Sequence, residues 1–346
     1  MKQQANISIF VPHSGCPNQC SFCNQHTISG AMEPTTPEQV RELCRTALPA
    51  ALGRFQRVEI AFFGGSFTAI DRSEMTALLE AASPFVGPNG ADGIRVSTRP
   101  DAIDRQVLAL LKYYGVTAVE LGSQSMDDRV LRLNQRGHTA QDTLRAAALI
   151  QEYSFCLGLQ MMTGLYGDTM QGALETARQI AALHPDTVRV YPTVVLRNTL
   201  LARLYESGEY TPPGLEESLE LLAQLLELFG GYGVEVIRMG LHASEGVEQG
   251  MLAGCYHPAL RELAEGRLLF DKIIRFIEEN HLPAGRITIH TAPAARSALG
   301  GHHRKWLSLL EQRGYYPALH SDSALAGFEL RIAQEIRSMP GGRAAP

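Results

Sequence analysis

No stretch of the chain approaches the ~20 unbroken apolar residues of a membrane span, which argues against passage through a bilayer. The opening residues, Met1-Lys2-Gln3-Gln4-Ala5-Asn6, lead into a strand-like run and lack a signal-peptide core. The expected compartment is therefore the cytoplasm. An excess of base is also missing: 31 Lys and Arg stand against 36 Asp and Glu, a formal net charge of −5. No global field then draws in nucleic acid or an anionic membrane, although a local basic surface is still open. Tryptophan occurs once, there is no internal repeat, and cysteine is sparse, with six in 346 residues. Thiols stay reduced in the cytoplasm, so these six do not read as three disulfides. What is present, 45% hydrophobic and 19% charged residues, suits a folded globular chain. It is long enough for one large domain with an appendage.

Short β-branched runs alternate with amphipathic helical patterns. The strand candidates are Ile7–Val11, Val58–Phe63, Ile94–Thr98, Val116–Leu121, Phe155–Met161 and Thr187–Tyr191. Thr36-Pro37-Glu38-Gln39 opens a helix with a capping hydroxyl, Pro in the first turn and Gln to complete the box. Asp71-Arg72-Ser73-Glu74 opens another. Repeated β-then-α units imply a parallel sheet with right-handed crossovers. The fold class is α/β: a partial or closed (β/α) parallel barrel with a small C-terminal α/β appendage. Chemistry in such folds sits at the C-terminal ends of the strands. The pattern changes after about Gly231, with a long helix over Leu215–Phe229 before it and one more strand, Val234–Leu241, after it. The expected division is a core of residues 1–241 and an appendage of 242–346 ending in a frayed Gly/Arg/Pro-rich tail.

Three of the cysteines crowd into eight residues as Cys16, Cys20 and Cys23, with spacing C-x3-C-x2-C. Thiolates are the preferred ligands of iron–sulfur clusters. A four-iron cluster held by three cysteines keeps one iron open for a cofactor or substrate. The competing reading is structural zinc with His13 or His26 as fourth ligand, but zinc sites usually set two short ligand pairs across a longer gap. Phe22 either shields the metal or is ordinary packing. Cys44 and Cys156 lie in apolar periodic segments and read as core, and Cys255-Tyr256-His257-Pro258 reads as a structural turn.

Every other motif follows a strand. Gly64-Gly65-Ser66 after the second lets backbone approach a ligand closely. Ser97-Thr98-Arg99-Pro100-Asp101 ends the third, Gln124 lies in the run ending the fourth, and Arg136 follows a short helix. Gln160 ends the fifth and Tyr191 the sixth. Each alone reads equally as a turn, cap or solvated loop; together they surround one mouth.

C-x3-C-φ-C with an aromatic at φ, after the first strand of a β/α chain, is similar to the radical S-adenosylmethionine (radical SAM) signature. The resemblance implies a [4Fe–4S] cluster on Cys16, Cys20 and Cys23. S-adenosylmethionine would chelate the fourth iron, and one electron would cleave it to methionine and a 5′-deoxyadenosyl radical that abstracts hydrogen. It implies further that Gly64, Gly65 and Ser66 receive the methionine amino group and that Arg136 pairs with its carboxylate in a guanidinium fork. Gln124 and Gln160 would bond the ribose, and Tyr191 would line the adenine through its backbone. Many relatives carry an acid near Ser97, where this chain has none. These positions resemble radical SAM enzymes related to oxygen-independent coproporphyrinogen dehydrogenase. A one-electron donor such as flavodoxin or ferredoxin is implied as partner.

Longer runs narrow the resemblance. Arg189-Val190-Tyr191-Pro192-Thr193-Val194-Val195-Leu196-Arg197-Asn198-Thr199, Phe63–Thr68, Gly122–Ser125, Arg136–Thr139 and Leu204–Tyr210 look like the radical SAM region of the Elongator catalytic subunit, which modifies wobble uridine in tRNA. The likeness covers roughly residues 5–245. Two departures limit it. Those subunits use a longer first cysteine gap, and they continue into an acetyltransferase domain for which this chain has no room, so acetyl-CoA is not an expected partner. What carries over is radical generation, with tRNA as first candidate substrate. A porphyrin or other small molecule is the rival substrate, and a non-catalytic cluster or zinc protein scaffolding RNA is the rival class. Between Leu282 and Leu310 the charged residues are Arg286, Arg296, Arg304 and Lys305, with His302, His303 and Trp306 among them. This is a candidate RNA-contacting face, set against a solvated helix face with Trp306 in the core.

Overall fold

The computed structural model describes residues 2–11, 16, 20–24, 35–242 and 245–334. His13, His26 and the C-terminal tail lie outside the described residues. The chain divides into two compact units: Met1–Ser218 with Leu228–Pro258, and Leu219–Glu227 with Ala259–Pro346.

The first unit is built on β1 (Lys2–Val11), β2 (Phe55–Gly64), β3 (Gly93–Thr98), β4 (Val116–Gln124), β5 (Cys156–Thr163), β6 (Thr187–Pro192) and β8 (Glu235–Met239), paired in parallel in that order. β7 (Val194–Leu196) pairs separately and antiparallel with β9 (Met251–Gly254). β1 and β8 are the edges of the large sheet, so it is a curled half-barrel and not the closed form. Helices alternate with the strands: α1 (Pro37–Leu52), α2 (Arg72–Ala82), α3 (Arg105–Tyr113), α4 (Asp128–Leu133), α5 (Ala140–Glu152), α6 (Met170–Ala181), α7 (Leu200–Glu206) and α8 (Leu215–Gly231). The expected capping box at α1 is present, with Gln39 N donating to Thr36 Oγ1 and Thr36 N donating to Gln39 Oε1. Asp71 caps α2 through Ser73 N and Glu74 N.

Strand alternation splits the sheet into two faces. Ile7, Ile9, Val58, Ile60, Phe62, Ile94, Val96, Val119, Leu121, Leu157, Leu159, Val188 and Val190 are buried on the outer face. The inner face is polar. It carries Glu59, Arg95, Ser97, Glu120, Gln160, Arg189 and Tyr191, with Ala61, Ala118, Gly122 and Gly158 leaving space between them. β1 is longer than the periodicity predicts because Gln4 and Asn6, polar and so uninformative as strand formers, sit on this inner face; Gln4 Nε2 donates to Glu59 Oε2 at 2.9 Å.

The second unit sets β10 (Gly285–Thr291) between β11 (Tyr315–Ser321), parallel to it, and β12 (Leu330–Gln334), antiparallel. Ile287, Ile289 and Thr291 are buried with α10 (Leu260–Glu279), α11 (Arg296–Gly300) and α12 (Lys305–Gln312) (α9, Glu245–Gly250, belongs to the first unit). Trp306 is in this core, 1% exposed. It lies 5.6 Å from the Phe270 ring and over Gly266, where a Cβ would come 2.3 Å from Trp306 Nε1. The candidate RNA stretch is therefore not one face. Its tryptophan is core, Arg304 pairs with Glu311 at 2.8 Å, and the Lys305 ammonium sits 4.7 Å over the Trp306 ring.

Candidate active site at the mouth of the half-barrel

The cysteine loop leaves β1 at Val11 and is held from three directions. Ser21, fully buried, donates its Oγ to Asn134 Oδ1 at 2.7 Å, and its N–H donates to Asn134 O. The N–H of Leu201, in α7, donates to Ser21 O at 2.7 Å. Asn24 Nδ2 donates to Arg197 O at 3.2 Å. Asn134 itself ends α4 and donates to Val130 O and Tyr166 O, both at 2.9 Å. One side chain thus ties the cysteine loop, α4 and the loop after β5 together. Phe22 packs against Val195, Leu201, Ala202 and Tyr210, and its ring is 6.0 Å from the Arg136 guanidinium.

All six cysteines are free thiols. Cys16 Sγ lies 3.5 Å from Ser66 Oγ, and Arg136 Nη1 donates to Cys20 Sγ at 3.0 Å. Burial pushes the Cys23 thiol up to about 12, and the proximity of Cys20 and then Cys16 adds to it. The three sulfurs therefore share one electrostatic neighbourhood. Among the described residues no group of three His, Cys, Asp or Glu side chains is arranged to hold a single metal ion. A cluster asks for a different arrangement, since each thiolate takes a different iron. Cys44 and Cys255 are buried elsewhere, and Cys156 sits at the opposite end of β5, near Arg95.

The strand-end residues come together. Gly64 adopts φ +106°, and a Cβ there would stand 3.1 Å from Val11 O; only glycine takes this conformation without strain. The N–H of Gly65 donates to Val11 O at 2.7 Å. The β4–β5 register slips between Gly122 and Gln124, and Gln124 takes φ +65°. A bulge of this kind re-aims a side chain. Gln124 Nε2 and Arg136 Nη2 converge where Gly122 lacks a Cβ, and Arg136 Nη2 donates to Gly122 O at 2.6 Å. Among the described residues, four buried polar atoms at this rim have no hydrogen-bond partner: Ser97 Oγ, Ser123 Oγ, Gln124 Oε1 and Arg136 Nε. Buried polar atoms are ordinarily paired, so a concentration of unpaired ones fits a polar ligand. Gln160 instead donates to Glu120, and Tyr191, half-buried, neighbours Arg189.

The inner face below the rim holds a ladder of charges that sequence reading missed. Arg57 and Arg95 pair with Glu59 at 2.9 and 2.8 Å. Arg189 Nε pairs with Glu120 at 2.8 Å, and Arg95 also approaches Glu120, at 3.7 Å. Burial alone would lower the Arg189 pKa, but the Glu120 carboxylate and the Tyr191 phenol together more than offset it and the net direction is up. The visible signal was an acid between β-branched or apolar neighbours, as in Val58-Glu59-Ile60. A cavity of about 420 Å³ adjoins Cys20 on another side, lined by Gln135, Arg197, Asn198, Thr199 and Arg203 among others.

The Radical SAM superfamily profile matches residues 10–180, and the Radical SAM C-terminal domain profile matches 185–269. The tRNA uridine(34) acetyltransferase of Dehalococcoides mccartyi is 25% identical over 315 residues, covering 80% of this chain and 67% of that protein. That of Methanocaldococcus jannaschii is 30% identical over 131 residues, covering 37% and 24%. Elongator complex protein 3 of Homo sapiens is 33% identical over 184 residues, covering 51% and 32%. The chain thus spans a quarter to two thirds of the length of these relatives. The archaeal Methanocaldococcus infernus Elp3 structure superposes with a TM-score of 0.58 at 18% identity, covering 82% of this chain and 64% of that one, which places the fold.

Proposed function

We propose, from the premise that the chain belongs to the radical SAM superfamily, that it uses hydrogen abstraction to modify RNA, with tRNA as the substrate class. The family works with a [4Fe–4S] cluster and S-adenosylmethionine. When bound, the cluster supplies the electron that cleaves S-adenosylmethionine and so provides a hydrogen-abstracting radical. The observation that carries the site assignment is the set of buried atoms on Ser97, Gln124 and Arg136 without a partner among the described residues, with Arg136 reaching Cys20 in a loop of three free thiols.

In this reading Cys16, Cys20 and Cys23 hold the cluster, and Gly64, Gly65 and Ser66 receive the amino end of S-adenosylmethionine. Arg136 orients its carboxylate while donating to Cys20 Sγ. Ser97, Gln124 and Gln160 serve the ribose, and the Tyr191 backbone lines the adenine. A one-electron donor such as flavodoxin or ferredoxin would approach by the cavity beside Cys20. Among the described residues no helix is long and apolar enough to cross a membrane, and six free thiols suit the cytoplasm. Residues 242–346 are the candidate RNA-contacting module, and the tRNA-modifying relatives favour RNA over a porphyrin.

The test is anaerobic reconstitution with dithionite, followed by tRNA nucleoside mass spectrometry from a deletion strain. The expected results are four irons per chain, 5′-deoxyadenosine formation and one nucleoside missing or accumulated as its precursor. Zinc without iron would remove the central reading. An unchanged nucleoside profile would leave the radical chemistry and remove tRNA.

A further inference from the structure

The ladder on the inner face does not close. Its carboxylates are Glu59 and Glu120, and both are taken: Glu59 by Arg57 and Arg95, Glu120 by Arg189 with Arg95 beside it. One further cation stands on the same face. In the β6–β8 pairing Val188 is opposite Val236, but the register then slips and Arg189 is opposite Arg238. Without that slip Arg238 would share the outer face with Val236, two residues before it. The bulge at Ile237 turns it inward, beside Arg189. Met239 then returns to the outer face opposite the buried Val190.

Arg238 is half-buried. Its Nε donates to Gly240 O at 2.9 Å, which leaves the outer edge of the fork for something else. Among the described residues no carboxylate forms an ion pair with it. The charges that reach it are the Tyr191 phenol and Arg189, of like sign; its own charge is felt by His242. Burial lowers the Arg238 pKa; the Tyr191 phenol pulls it upward, and the Arg189 charge adds a smaller push down, leaving the net direction down. The His242 imidazole is likewise pushed down, by burial, Arg238 and Arg189 in that order. A backbone irregularity that turns a second arginine toward a first, in partial burial and without a counter-charge, costs stability. An anion returns that cost.

We infer that Arg238, with Arg189 and the Tyr191 hydroxyl, forms an anion subsite on the inner face next to the open β8 edge, taking a phosphate or carboxylate group. Guanidinium pairs bind either group through two parallel hydrogen bonds. The group belongs to the substrate, an assignment that rests on the mouth being the reaction site; the existence of the subsite does not depend on it. S-adenosylmethionine also carries a carboxylate, so the experiment separates the two sources.

The full chain, reconstituted under argon, is melted in rising sodium phosphate with ionic strength held constant by sodium chloride. The wild type should gain on the order of 2–4 °C at about tenfold excess over Kd and then approach a logarithmic rise. Arg238→Met should melt higher than the wild type without phosphate, since it loses an uncompensated charge, and should not respond to phosphate. Arg238→Lys should respond less than the wild type. Repeating the titration with saturating S-adenosylmethionine should leave the phosphate response in place. Equal phosphate responses in wild type and Arg238→Met, or none in the wild type, would overturn the subsite. A response abolished by S-adenosylmethionine would overturn its assignment to substrate. If the wild type fails to form 5′-deoxyadenosine yet shows the response, the functional reading has failed and the subsite has not.

Discussion

Arg136 touches more of the site than any other single side chain. It donates to Cys20 Sγ and Gly122 O, approaches the Phe22 ring, and keeps Nε buried without a partner. Arg136→Ala should weaken S-adenosylmethionine binding about ten- to a hundredfold, the value of one charge-assisted hydrogen bond at ~1.5–3 kcal/mol. Iron content should be retained. Calorimetry under argon checks this, and unchanged affinity would put the carboxylate partner elsewhere. Cys16→Ala, Cys20→Ala and Cys23→Ala should each abolish iron loading, while Cys44→Ala, Cys156→Ala and Cys255→Ala should keep it, because those thiols lie outside the loop. His138 sits behind Arg136 with Nε2 at 3.2 Å from Ser123 O. Burial, reinforced by the Arg136 charge, pushes its imidazole down to about 4. The folded state then holds neutral imidazole where the unfolded chain takes up a proton. Its contribution is complete above about pH 6.5 and is lost as pH falls toward about 4, with a ceiling of about 3 kcal/mol. Urea midpoints between these pH values should fall less steeply in His138→Gln; parallel curves would show that His138 is not the group responsible.

At the scale of elements, the site depends on how strand ends and the cysteine loop are pinned. Gly64→Ala forces a side chain into φ +106° with its Cβ 3.1 Å from Val11 O, a strain of about 1–3 kcal/mol. It should lower the melting temperature and weaken S-adenosylmethionine binding together; full affinity with normal stability would mean that the β2 end is not part of the site. Asn134→Ala removes three side-chain hydrogen bonds and strands the buried Ser21 hydroxyl, at about 1–3 kcal/mol for each group left unsatisfied. Iron loading should fall although no ligand is changed. The strands themselves were legible in sequence because β-branched runs end on glycine or polar turns. The cysteines and the Gly64-Gly65 pair were legible because their chemistry depends on local spacing. Asn134, Glu59, Glu120 and Arg238 were not, because each acquires its role from a partner on another strand or loop. The slips at Ser123 and Ile237 were invisible for the same reason: a bulge is a relation between two strands, and neither strand alone encodes it.

For the whole molecule, an acidic chain can still engage RNA if base and aromatic groups gather on one surface. The expected surface, the stretch around Trp306, does not do this; Trp306→Ala should cost ~3–5 kcal/mol of stability as a core deletion. The second unit offers another. Alternation on β10–β12 puts Arg286 opposite Tyr316 and His290 between His320 and Arg331, with Thr288, Ala318 and Ala333 in the row between. Tyr316 is 59% exposed, and the His290 and His320 rings stack at 5.5 Å. No acid stands in these three rows, although Asp322 just beyond pairs with Arg331 at 3.3 Å; that exposed pair is weak enough for a phosphate to replace the carboxylate. Small residues in the middle and an aromatic at one corner suit stacking of an unpaired base, worth ~1–3 kcal/mol. If this face meets RNA, a variant combining Arg286→Ala, Tyr316→Ala and Arg331→Ala should bind tRNA at least tenfold more weakly. Two lost phosphate contacts should also flatten the log–log salt dependence by about 1.4–1.8 units. Its melting temperature should hardly move, since all three side chains are at the surface. Titrations of tRNA at low and high salt, variant against wild type, decide the matter. Superimposable isotherms at both salts would make the sheet face a solvated surface and leave the RNA reading resting on the relatives alone.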